Sequence, residues 1–193
     1  MKVDMSSARS FLAKPGQTFW FVVILVAIAV YAAFRFYFSL ESNVSGSKIE
    51  DYDACVKAGN AVQESYPSRC TTKDGVSFTQ DIGNELERLD LIKVSSPRPN
   101  QVVASPLLIE GTARGFWFFE ASFPVKLFDA NGNTIATGIA QAQSEWMTRD
   151  FVPFRLRLEF ARPKTSKGSL ILEKDNPSGL PQNDDKLIIP VKF

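Results

Sequence analysis

Apolar and polar residues alternate along three stretches in the second half of the chain. Trp117, Phe119, Ala121, Phe123, Val125 and Leu127 take the odd positions of 117–127, with Glu120, Ser122, Pro124 and Lys126 between them. Val152, Phe154, Leu156, Leu158 and Phe160 alternate with Pro153, Arg155, Arg157 and Glu159. At the C-terminus Leu187, Ile189, Val191 and Phe193 alternate with Lys186, Pro190 and Lys192. A period of two predicts strands with one face toward a core and the other toward water. Weaker strands are expected over 91–95, 107–112, 134–142 and 169–174. Short strands at this spacing, with no convincing helix among them, predict an antiparallel β-sandwich over 89–193. Pro153 and Pro190 remove ladder donors and belong near edges or bulges. The segment Asp129-Ala130-Asn131-Gly132-Asn133 reads as a hairpin turn and not a calcium loop, because its glycine comes too early after the aspartate.

The first part of the chain follows another rule. Residues 18–34, TFWFVVILVAIAVYAAF, are 17 consecutive uncharged positions. Extended through Arg35 to Leu40, the segment would make a helix of about 35 Å, enough for a bilayer core of roughly 30 Å. Phe19, Trp20 and Tyr37 suit interfacial belts, and Arg35 can snorkel to one surface. A buried core helix would rarely run so long without a polar face. A cleaved signal peptide has some support from Ala27-Ile28-Ala29, but that triplet lies inside the apolar run, which continues past it. The expectation is an uncleaved single-pass signal anchor over 18–40. Lys2, Arg9 and Lys14 precede it, so the basic-residue rule places 1–17 as a cytoplasmic tail and 41–193 outside the cell membrane.

Residues 41–51 are polar and rich in serine, a linker. A small unit over 52–88 follows, holding Cys55 and Cys70. In an oxidising compartment two cysteines at this spacing predict a disulfide, which would close a small α+β unit. Asp53 is a candidate cap for a short helix over 54–65, and Lys73-Asp74-Gly75 a turn into a returning strand at 76–79.

Composition removes several functions. Histidine is absent, which excludes Ser-His-Asp and Cys-His catalysis and histidine-ligated zinc. Two cysteines cannot form a four-cysteine metal site. The 22 basic and 21 acidic residues nearly cancel, against a dedicated nucleic-acid binder. No catalytic, metal or cofactor site and no small-molecule cofactor is expected.

The residues then carry a resemblance. IKVSSPRPNQVVASPLLIEGTARG, FWFFEASFPVKLFDANGN, SEWMTRDFVPFRLRLEF and the closing IIPVKF occur in order within 91–193. This stretch resembles the bacterial spore germination immunoglobulin-like domain family. The resemblance implies an extracytoplasmic immunoglobulin-like β-sandwich, and it brings no set of functional residues. The cysteine unit is similar to a short C…AGN…YP…C…DG…F element that accompanies such domains in membrane-anchored bacterial proteins.

Three functional classes remain. The first is a non-catalytic module of the bacterial cell envelope that binds or scaffolds an envelope protein or glycan. Its candidate contact patch is Phe116, Phe118 and Phe151, which fall out of phase with the buried positions, with Arg155 and Arg157 beside them. The second is a glycan hydrolase using carboxylates among Glu110, Glu120, Glu145 and Asp150. The third is an extracellular protease inhibitor presenting residues 63–69 of the Cys55–Cys70 loop.

Overall fold

The computed structural model describes residues 16–41 and 48–193. The expected tail over 1–17 lies almost wholly outside them, and most of the linker does too. Gln17–Glu41 is a 25-residue helix, α1. Its described side chains are Val22 and those of 24–36, and they are exposed. Among the described residues no helix is long and apolar enough to cross a membrane. The side chains of Phe19, Trp20 and Tyr37 lie outside the description.

Residues 49–193 pack as one compact unit, so the cysteine unit and the β-domain are continuous. Asp51 caps α2 (Tyr52–Lys57) by accepting the Ala54 amide at 2.7 Å, which leaves Asp53 free for other partners. The helix is shorter than its sequence suggests. The chain reverses at Gly59 in the left-handed region, and β1 (Ala61–Gln63) pairs with β2 (Arg69–Thr71), which pairs with β3 (Ser77–Thr79). The Cys55–Cys70 disulfide is formed, and both residues are fully buried.

The β-domain is one antiparallel seven-stranded sheet. In chain order its strands are β4 (Ile92–Ser96), β5 (Leu107–Arg114), β6 (Ser122–Asp129), β7 (Thr134–Ala142), β8 (Phe151–Leu158), β9 (Lys167–Glu173) and β10 (Lys186–Lys192). Across the sheet the order is β10-β9-β6-β7-β8-β5-β4. β7 and β8 share only the pairs Gln141↔Arg155 and Ala142↔Phe154, whereas β8 pairs with β5 along its whole length. The sheet folds over at that seam into halves of four and three strands. Its outer edges also approach each other. Residues after β4 run beside β10, with a parallel bridge Val102↔Lys192 and the Val103 amide donating to the Lys192 carbonyl at 2.8 Å. The result is sandwich-like and almost a closed barrel.

The alternating residues fill its interior as their period requires. Phe123, Val125 and Leu127, Val152, Phe154 and Leu158, and Leu187, Ile189 and Val191 are all buried. The expected strand over 117–127 is the exception. Trp117 ends a 3-10 turn (Gly115–Trp117), and the chain then reverses between Phe119 and Ser122. Glu120 and Ala121 make the reversal with φ of 48° and 62°, in the left-handed region. Two residues spent in a turn shift the phase, so Phe118 points inward and Phe119 outward. Glycine is required at 115, where a Cβ would collide with the carbonyls of Trp146 and Thr148.

Trp117 is fully buried, and its indole Nε1 has no hydrogen-bond partner among the described residues. Trp117→Ala should therefore cost about 3–5 kcal/mol in chemical denaturation. Trp117→Phe should cost much less, because it keeps most of the apolar volume and removes the unpaired donor. Equal losses for the two substitutions would mean that the ring is not held as described.

Candidate functional site

The three-stranded half presents an open outer face. On β8 the side chains of Phe151, Pro153, Arg155 and Arg157 lie opposite the buried Val152, Phe154 and Leu158. Register sets their neighbours: Arg114 beside Phe151, Thr112 beside Pro153, Glu110 beside Arg155 and Leu108 beside Arg157. Lys93 of β4 stands next to Thr112, and Gln141 of β7 next to Arg155. Alternate residues on a strand are about 7 Å apart, which spaces Arg155 from Arg157.

Charge is unevenly matched there. Lys93, Arg114, Arg155 and Arg157 stand on the strands with one carboxylate, Glu110. Arg155 makes a forked contact with it, Nε at 2.7 Å and Nη2 at 2.5 Å from the same oxygen. Arg157 reaches Glu159 at 4.0 Å, and its side chain is 69% exposed. The Lys93 ammonium and the Arg114 guanidinium both lie against the Phe151 ring, 4.6 and 4.1 Å from its centroid. Cation–π attraction holds both charges without cancelling either. Arg114 is also fixed by donating to the carbonyls of Asp90 and Arg149. A shallow depression of about 580 Å³ opens here, with Lys93, Glu110, Thr112, Gln143 and Arg155 in its wall. The arrangement can bind anions through guanidinium and ammonium donors.

The fold thus brings Phe151, Arg155 and Arg157 together on one face. Phe116 is 50% exposed but sits beyond the end of β5, where the Gly115 amide donates to the Asp150 carbonyl. Phe118 does not belong to the patch. It is buried, and its ring packs edge-on against Phe123 at 5.2 Å. The left-handed pair at 120–121 is the reason, since strict alternation cannot register a turn. Lys93 and Arg114 carry no such signal within a single strand, although Arg114 continues the outward series Glu110, Thr112.

The carboxylates weighed for hydrolysis stand on separate segments. Glu110 is held by Arg155, Glu120 lies in the reversal, and Glu145 accepts the Met147 amide at 2.9 Å. Asp150 precedes β8, beside Thr148. Among the described residues no group of three or more cysteine or carboxylate ligands could hold a metal ion. Asp129 serves its turn: it accepts from the Asn131 and Asn133 amides and from Asn133 Nδ2, and the Asn133 side chain leads in lowering its pKa.

The Cys55–Cys70 loop is tied to the β-domain. The Tyr66 hydroxyl donates to the buried Glu85 carboxylate, which Arg98 also grips. A cleft of about 690 Å³ lies between this unit and the sheet, with Tyr52, Asp53, Asn100, Phe128 and Lys167 in its wall. Lys167 and Lys192 reach Asp53 at 2.8 and 3.2 Å. The hydrogen bond from Lys167 is the main cause holding the Asp53 carboxyl below its ordinary pKa, against partial burial and with help from Lys192. The same bond raises the Lys167 ammonium.

Residues 91–179 match the family model described as the immunoglobulin-like domain of bacterial spore germination. That family is not a typical catalytic one. No curated protein and no solved structure matches the chain.

Phe116→Ser should change stability by no more than about 0.5 kcal/mol, as at an exposed site, while Phe118→Ser should cost several kcal/mol by emptying a core position and burying a hydroxyl. Denaturation curves for the two variants check the reversal at 120–121 directly.

The ion pairs on Asp53 predict how the cysteine unit responds to pH. Asp53 titrates below its ordinary 3.8, so its contribution is complete above that value and is lost as pH falls through the lowered pKa. Lys167 titrates above 10.5, so its contribution is complete below that and is lost as pH rises further. NMR shifts of the α2 amides should stay constant between those limits and move outside them. Asp53→Asn should shrink the acid limb.

Proposed function

We propose that the chain is a membrane-anchored, extracytoplasmic binding module of the bacterial cell envelope, without catalysis. The observation that carries the reading is the β8-β5-β4 face, which is cationic, open and free of any assembled acid–base or nucleophilic group. The match of 91–179 to an immunoglobulin-like family supports a scaffold whose specificity lies in surface contacts and not in reactive groups. The buried disulfide supports an oxidising compartment. Val22, Ile24, Leu25, Val26, Ile28 and Val30 are exposed apolar side chains on α1. An apolar series of this kind is costly in water and favourable in lipid, which supports an anchor there. The basic residues before the apolar run, Lys2, Arg9 and Lys14, support a cytoplasmic N-terminal end. The partner is an envelope protein or glycan, held at Phe151, Arg155, Arg157 and their neighbours, with Phe116 at the margin.

Protease added outside intact cells should remove residues 41–193 and leave a short membrane-bound fragment, as followed by antibodies against each end. Full protection of 49–193 would overturn the topology, and the envelope reading with it.

A further inference from the structure

We infer that the β8-β5-β4 face binds a linear phosphodiester polymer; this rests on the extracytoplasmic binding-module reading above. The contrast with the rest of the domain points to the ligand. Elsewhere in the domain cations meet carboxylates: Lys167 and Lys192 share Asp53, Lys126 meets Glu173 at 2.8 Å, and Arg88 meets Asp185 at 2.7 Å. On the open face Lys93 and Arg114 rest on an aromatic ring, and Arg157 meets Glu159 only at 4.0 Å with both side chains exposed, a pair that offsets little of its charge. The fourth, Arg155, is offset by Glu110. From Arg157 to Phe151 the row spans six residues of β8, about 20 Å. Asp90 and Asp150 lie in the loops at its Phe151 end and limit the positive field there.

A row of spaced cations suits a chain that repeats one charge per unit. The backbone of β8 is already paired with β5 along its length. A ligand lying across the flat of the face meets side chains and not sheet backbone, so an acidic polypeptide there would gain no main-chain hydrogen bonds and would still lose its conformational freedom. A phosphodiester offers two unesterified oxygens that fit the fork of a guanidinium, and its charge does not titrate near neutral pH. Glu110 is then a competitor for Arg155, which separates this inference from any hydrolytic use of that carboxylate.

The experiment uses the full chain in zwitterionic nanodiscs and purified poly(glycerol phosphate) as the probe. Binding is expected at low salt, weakening roughly twentyfold between 50 and 200 mM for about three neutralised phosphates. Arg157→Ala and Arg114→Gln should each weaken binding severalfold, and Arg157→Glu more, with unfolding midpoints unchanged for the Arg157 variants. Glu110→Gln should tighten it severalfold, an effect that loss of a structural ion pair would not produce. No binding at low salt, indifference to Arg157→Glu, equal affinity for poly-L-glutamate, or transfer of the binding to phosphatidylglycerol vesicles would each overturn the inference. If external protease still removes the ectodomain and Arg157→Glu loses an envelope protein instead, the module reading survives that failure. Protection of the ectodomain would defeat the module reading itself.

Discussion

Phe123 and Phe154 meet edge to face with 5.0 Å between centroids, joining two halves of a sheet that the β7–β8 ladder connects through only two residue pairs. Hydrogen bonds alone would make that seam a hinge. Packing makes it a corner, because Phe123 on β6 and Phe154 on β8 share an interior with Phe118, Trp117 and the leucines of β9 and β10. Aromatic pairs of this geometry contribute about 0.5–1.5 kcal/mol beyond their area. Their larger effect here is geometric: by fixing the inner side of β8 they fix the outer side too. A strand cannot move Phe154 without moving Arg155. The row of arginines is therefore as rigid along its backbone as the core beneath it, and only the side-chain tips remain free.

The cysteine unit solves a second problem, that of edges. Strands β4 and β10 end the sheet and would each expose unpaired backbone groups. The segment after β4 covers β10, and Asn84 accepts from the Ile188 amide at 2.7 Å. Glu85, buried and gripped by Tyr66 and Arg98, ties the loop of the cysteine unit to the same closure. A buried carboxylate is tolerable because its partners are present, and removing one of them would leave a costly charge. The disulfide and the ion pairs on Asp53 thus act on the sheet's weak side, while the β8-β5-β4 face is left open.

Much of this was legible in the alternation of residues. The strand at 134–142 has the bounds the pattern predicts, and the inward positions of β6, β8 and β10 follow their period. The failures share one cause: a regular period, of strand or helix, assumes φ stays negative. Glu120 and Ala121 break that assumption without a glycine to announce it, and so Phe118 and Phe119 exchange sides. The helix over 54–65 failed similarly, since Gly59 ends it early and β1 takes its second half. Of the contact patch, Phe151, Arg155 and Arg157 were readable because all three lie on one strand. Lys93 and Arg114 were not, because only the cross-strand register brings them to the same ring.

Four cations on a flat face make individually weak contacts. A solvent-exposed ion pair is worth roughly 0–1 kcal/mol, and physiological salt screens charges beyond about 8 Å. Such a face gains little by holding a small anion. It gains more when one ligand engages several cations at once, since each further contact is intramolecular and its effective concentration is set by the chain joining them. Confinement at a membrane surface would act in the same direction, by keeping the module within reach of a polymer it releases often. The weakness of each contact and the persistence of the whole are then compatible, because occupancy depends on the number of charges in the row and not on the depth of any pocket.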